Sequence, residues 1–428
     1  MKKIYSFLFA AVTVFAAASC QKEVDNTPVE NTEVNPITIT AVNASTKTTL
    51  VDDVKTYWTS TDELSVFDFT GVGRKFTTDI TENQAEATFT NTDADFVEPA
   101  DLSAACLVAL YPYDSDAVVD YVSAQTPPFT ISNVELPAEQ TAAANNFDPS
   151  ATLAVAQNIA TNTTMTFNNL YSLLKFTVTE SGLKEVVVKA NGTEKIAGAA
   201  TITNVATEVF APQLNPGSPV LVIDPSTGSS EVTLTCSEGF ATDKTYYIAV
   251  APGAYTNGLS VYVDGYLVKT TKLTENKTTL KPNYVYNLGS LARELCDWGL
   301  VGQHQGWDIS NPTPMYKVAT NVYAAKNISL ASNGFKFAKR GLTDWNTSNS
   351  YFGAWKNSGD GYFNFSTEMS VGAWYTGIYT DNTSGQNENI GVDDFNKKYD
   401  VYWKVVEDYG NSQQMGYTVV EAGTKISY

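Results

Sequence analysis

Ser260-Val261-Tyr262-Val263-Asp264-Gly265 is the stretch on which the reading of the fold turns. A β-branched and aromatic run ends on Asp-Gly, a pair that accepts the positive φ angles of a two-residue hairpin turn. The same grammar recurs in both directions. Ile37-Thr38-Ile39-Thr40-Ala41-Val42 alternates with period two, as a strand with one buried face should. Leu64 to Phe69, Ala105 to Tyr111, Leu173 to Val178, Glu185 to Lys189, Glu231 to Thr235 and Tyr246 to Val250 are further short runs between Gly, Asn and Pro turns. A helical period of 3.6 residues is nearly absent. The chain is therefore expected to be all-β and built of sandwiches. A few helical turns are expected in loops, for example around Ala138 to Ala144.

The N-terminal residues predict the compartment. Lys2 and Lys3 precede an apolar run from Ile4 to Ala18, which closes on small residues ahead of Cys20. That is the layout of a secretory signal over residues 1–19. The run is too short for a spanning helix. Residues 20–36 are polar, carry Pro28 and Pro36, and read as a flexible tether. The formal net charge of −19 becomes about −21 once Lys2 and Lys3 leave with the signal. Such a surface repels phosphate backbones, so no nucleic acid partner is expected. Beyond Cys20 lie Cys106, Cys236 and Cys296, at spacings that suggest no metal site; they are expected to be buried free thiols. Six of the seven tryptophans lie beyond Cys296, with only Trp58 before it, which places a boundary near that cysteine.

The ending Ala16-Ala17-Ala18-Ser19-Cys20 resembles a bacterial lipobox, which implies that Cys20 is acylated and becomes the mature N-terminus. The acidic-rich stretch from Gln21 to Asp25 resembles an export tag to the outer face of a Gram-negative outer membrane.

Two further resemblances cover most of the remaining chain. Thr46-Lys47-Thr48-Thr49-Leu50, Tyr57-Trp58-Thr59-Ser60-Thr61-Asp62-Glu63-Leu64-Ser65-Val66-Phe67, Tyr111-Pro112-Tyr113, Leu136-Pro137-Ala138-Glu139-Gln140 and Leu280-Lys281-Pro282-Asn283-Tyr284-Val285-Tyr286 occur in the order of the fimbrillin family of surface lipoproteins. This resemblance implies two tandem fimbrillin-like β-sandwiches, over residues 37–160 and 161–292. By strand context Trp58, Phe67 and Phe69 belong to the core, and Asp62 caps the turn before a strand.

The second resemblance covers 296–428. Trp298-Gly299-Leu300-Val301-Gly302, Gly306-Trp307-Asp308, Gly334-Phe335-Lys336-Phe337, Asp344-Trp345-Asn346, Asn389-Ile390 and Tyr399-Asp400-Val401-Tyr402-Trp403 are similar to the small carbohydrate-binding-module-like β-sandwiches of Sus-type outer-membrane glycan-binding lipoproteins. It implies an aromatic site for polysaccharide or oligosaccharide.

Sugar rings offer apolar C–H faces and rims of hydroxyls, and proteins answer with aromatic platforms flanked by polar groups. Trp345, Trp355 and Trp374 lie in Gly/Asn/Ser-rich loop sequence and are the candidate platforms; the alternative for Trp355 and Trp374 is packing beneath long loops. Lys336, Arg340, Asn346 and Asn389 are the candidate hydroxyl partners, the two cations being otherwise ordinary surface charges. Trp298 and Trp403 are expected in the core and Trp307 in a turn. His304 is the sole histidine, and the chain lacks a Gly-rich phosphate loop or a G-x-S-x-G elbow, so neither catalysis nor a metal or cofactor is expected. The expectation is a surface lipoprotein, anchored in the outer membrane, that binds extracellular polysaccharide. The alternative is an accessory or tip subunit of fimbriae, with other surface or fimbrial subunits as partners.

Overall fold

The computed structural model describes residues 37–43, 57–91, 96, 106–123, 126–159, 163–204, 219–271, 279–332, 334–343, 351–352, 363–364, 374–378, 390–392, 394–409 and 412–426. The signal, Cys20 and the tether lie outside them. The protein is all-β: the helical turns among the described residues are the 3₁₀ turns Pro149–Ala151 and Gln303–Gln305. None of the described helices is long and apolar enough to cross a membrane.

The first sheet closes into a barrel in the order Ile37–Asn43, Thr164–Asn169, Ala154–Ile159, Cys106–Tyr111, Glu63–Phe67, Gly73–Thr77 and Glu86–Asn91. Ile37–Asn43 completes the closure, pairing antiparallel with Glu86–Asn91 (Ile39 opposite Phe89) and parallel with Thr164–Asn169 (Thr40 opposite Thr164). Alternation along these strands turns Ile39 and Ala41, Leu64 and Val66, Leu107 and Ala109, and Met165 and Phe167 into one core around Trp58. The opposite face of Cys106–Tyr111 is covered too. Cys106, Val108 and Leu110 enter a second core with Phe129, Ile131, Leu136 and Ile202. A strand buried on both faces cannot alternate, which is why Cys106-Leu107-Val108-Ala109-Leu110 is continuously apolar.

That second core lies under a four-stranded sheet ordered Val220–Ile223, Gly198–Asn204, Thr126–Leu136 and Val118–Ser123. Strands from both sides of residue 160 thus share sheets. A third core joins a three-stranded sheet (Tyr246–Val250, Ser172–Val178, Val285–Leu291) to a five-stranded one (Tyr266–Thr271, Leu259–Val263, Glu185–Ala190, Glu231–Thr235, Glu139–Thr141). Phe176, Val186, Val188, Ile248 and Val261 are among its residues.

The helical turn expected around Ala138 to Ala144 is overturned. Glu139–Thr141 is a strand parallel to Glu231–Thr235. The buried Gln140 side chain holds it extended, donating to Pro137 O and Ala249 O while accepting from Ala249 N. A helix there would forfeit those bonds in a buried setting. The 3₁₀ turn comes later, where the Asp148 carboxylate accepts from Ser150 N at 2.9 Å ahead of Pro149.

Beyond Leu291, three residues lead into Leu295–Gly302 and a ten-stranded sheet. Its core packs Phe337 4.3 Å and Trp298 5.4 Å from the Trp403 ring, centroid to centroid. Trp403 is fully buried and Trp298 half-buried. Trp307 sits in a turn at φ 60°, packed against Val301, Ile309 and Ala338. Cys106, Cys236 and Cys296 are free thiols, the first and last buried and Cys236 half-buried.

Candidate functional site

The aromatic glycan site expected near the C-terminus is described only in part. Trp345, Asn346, Trp355 and Asn389 lie outside the described residues. On the strand Phe335–Lys339, Phe335 and Phe337 are fully buried while Lys336 lies half-buried on the other face; Arg340, which follows, is exposed. Trp374 stands elsewhere. It is half-buried against a cluster that includes Val318, Tyr402 and Val420, and the Lys404 ammonium lies 5.3 Å over its ring. Five strands separate its neighbour Tyr375–Ile378 from Phe335–Lys339 in the sheet order. The structure therefore does not bring Trp374 together with Lys336 and Arg340.

A cleft of about 430 Å³ opens instead at the barrel, between residues 57–62 and the segment 146–152. Trp58 explains how the first wall forms. Its backbone exchanges two hydrogen bonds with Gln84, Trp58 N donating to Gln84 O at 2.7 Å and Gln84 N to Trp58 O at 3.0 Å. The indole then sits only 2 % exposed, edge-on to Phe89, Tyr111 and Phe167 at centroid distances of 5.2, 5.2 and 5.3 Å. Extended backbone alternates its side chains, so the preceding Tyr57 is left 43 % exposed at the rim.

Asp62 is fixed from two directions. Thr59 N donates to its Oδ2 at 2.7 Å, and the Tyr111 hydroxyl donates to its Oδ1 at 2.9 Å. Burial first, and then the Asp62 charge, push the Tyr111 phenol far above its ordinary pKa, so it acts as a proton-bearing donor at any physiological pH. The expected capping role of Asp62 holds, with the added bond from Tyr111.

The opposite wall is set by the 3₁₀ turn. Phe147 is buried 5.9 Å from the Tyr171 ring, Asn146 accepts from Phe147 N, and Thr152 N closes the turn onto Pro149 O. Asn169 joins from the barrel strand and donates to Asn283 Oδ1 at 3.1 Å.

The lining is aromatic, hydroxylic and amidic: Tyr57, Trp58, Tyr111 and Phe147 with Thr59, Thr61, Asn83, Asn146, Thr152 and Asn169. Among the described residues, Asp62 is its single carboxylate, and no Lys, Arg or His contributes. The Trp58 indole N–H has no hydrogen-bond partner among the described residues. The arrangement sets aromatic faces beside hydroxyl and amide groups and one fixed carboxylate, so it can meet apolar and polar ligand surfaces together.

Sequence reading placed Trp58 and Asp62 correctly but missed the cleft. Its walls are some ninety residues apart in the chain, from Trp58 to Phe147, and no local signal joins them.

No protein-family model matches the chain, and no curated protein matches it. Among solved structures, a proposed cell adhesion protein from Bacteroides uniformis is 16% identical, with 61% of this chain and 94% of that one covered at a TM-score of 0.34. A second proposed cell adhesion protein, from Bacteroides thetaiotaomicron, is 10% identical over 54% of this chain and 80% of that one, at a TM-score of 0.28.

Proposed function

We propose that this protein is a lipid-anchored surface protein of the outer membrane that binds extracellular polysaccharide without cleaving it. The single observation that carries this reading is the cleft, where the exposed Tyr57 ring borders amides, hydroxyls and one fixed carboxylate. Aromatic faces meet sugar C–H surfaces, and the polar groups meet hydroxyls. Glycoside hydrolysis normally uses two carboxylates across the scissile bond, and the described lining of the cleft supplies one. The sequence around Cys20 supports the anchor. The tryptophan-rich C-terminal part, with Trp345 and Trp355, is a second candidate surface for the same polymer.

The test is calorimetry of the full ectodomain against plant, host and microbial polysaccharides. A bound polymer whose affinity falls about tenfold or more in Tyr57→Ala places the site in the cleft, since loss of one stacking platform costs on that order. The same loss in Trp345→Ala instead would place it at the C-terminal end. Silence across the panel defeats the reading.

A second reading, a fimbrial subunit, is favoured by the position of Ile37–Asn43. Without that strand, Glu86–Asn91 and Thr164–Asn169 would be unpaired edges, and the slot of Ile39 and Ala41 would lie open for a strand from another subunit. Mass analysis of surface-extracted protein decides between them. A lipidated Cys20 on monomer favours the binder; a new N-terminus near Thr48 in detergent-resistant ladders favours the fibre.

A further inference from the structure

We propose that the barrel cleft selects uncharged glycans and turns away acidic ones, with Asp62 as the specificity-determining residue. This rests on the polysaccharide-binding reading and narrows it to a ligand class. Two observations carry it.

The first is the charge of the lining. Among the described lining residues Asp62 is the only carboxylate, with no cation beside it to compensate a second negative charge. A uronate or sulfate brought beside it would meet like-charge repulsion in a partly desolvated space, and the net charge of −19 adds a repelling field at longer range.

The second is geometry. Each Asp62 oxygen accepts one bond from the protein, from Tyr111 Oη and from Thr59 N. A carboxylate oxygen has room for two, so the group is held in place while keeping acceptor sites for a ligand. Sugar hydroxyls can donate to those sites. A carboxylate or sulfate ester has no proton to give.

The experiment takes the neutral polymer found to bind the full ectodomain and the same polymer after carboxymethylation, titrated in low salt and in about 0.5 M NaCl. The wild-type protein is expected to bind the carboxymethylated polymer at least about tenfold more weakly in low salt, with the gap shrinking in high salt. Asp62→Asn, which keeps the shape and removes the charge, is expected to narrow the gap in low salt. Equal binding of the two polymers by the wild type overturns the proposal, as does a low-salt gap that Asp62→Asn leaves unchanged. Should Asp62→Asn fail to fold, as judged by near-ultraviolet circular dichroism, Asp62→Ser makes the same comparison with the same expected and overturning outcomes. If neutral binding survives Tyr57→Ala unchanged, the cleft is not the site and the proposal falls while polysaccharide binding stands. If no neutral polymer binds, both fall.

Discussion

Asp68 shows how a single buried charge is kept. Its side chain is wholly buried, and Arg74 Nε donates to it at 2.7 Å. Thr70 donates twice, through its hydroxyl and its N–H, and Val72 N adds a weaker bond at 3.2 Å. Burial pushes the carboxyl's pKa up, but these donors outweigh it and hold the value below the ordinary aspartate range. A depressed folded-state pKa means that its contribution to stability is fully present above the unfolded value, near pH 4, and is lost as pH falls through the lower folded value. Asp68→Asn is therefore expected to destabilise the protein at neutral pH, with the difference in urea midpoint from wild type shrinking below about pH 4. Cysteine chemistry follows the same logic. Burial raises the Cys106 thiol to about 12 and the Cys296 thiol to about 11, so neither supplies thiolate at neutral pH. A thiol-reactive dye added to native protein should leave both unlabelled until denaturant is present, as peptide mapping would read.

The hairpin Leu259–Val263 and Tyr266–Thr271 carries more than its own turn. Asp264 and Gly265 take φ of 47° and 73°, the mirror-image turn that matches strand twist. The Asp264 carboxylate accepts from Lys184 N and Glu185 N, clipping the turn to the neighbouring strand. Gly265 O accepts from Lys326 Nζ at 2.7 Å, and Tyr266 packs 5.3 Å from Tyr316 beside Val318 and Val322. One turn thus ends a hairpin and meets the C-terminal sheet. A β-branched residue is strained at positive φ, so Gly265→Val is expected to cost about 1–2 kcal/mol or more in urea unfolding.

At the scale of the molecule, Arg293 stands where the chain passes from the second pair of sheets into the ten-stranded one. Its Nε donates to Glu180 at 3.2 Å, and its guanidinium lies 4.1 Å over the Tyr316 ring and 5.4 Å from Tyr266. Both partners of the ion pair are partly exposed, at 18% and 36%, so most of the benefit comes from the stacked rings and the paired geometry rather than bare charge. Arg293→Ala is expected to cost about 1–2 kcal/mol and to speed proteolysis between Leu291 and Leu295, which a timed digest followed by mass spectrometry would show.

The residues themselves determined the class of fold. Period-two alternation, β-branched runs and Asp264-Gly265 are local signals, since strand alternation and turn chemistry act over two to six residues. Trp58, Phe67, Trp403 and Asp62 were legible for the same reason. The strand at Glu139–Thr141 was not, because its extended form depends on Gln140 reaching Ala249, 109 residues away. The cleft is the fuller case. Asp62 reads locally as a turn cap, while Phe147 and Asn146 carry no local signal of a site. Only closure of the barrel and packing of the 3₁₀ turn against it set them across one space. Binding surfaces made from distant segments are decided by tertiary packing, because no short-range rule records which loop will face which.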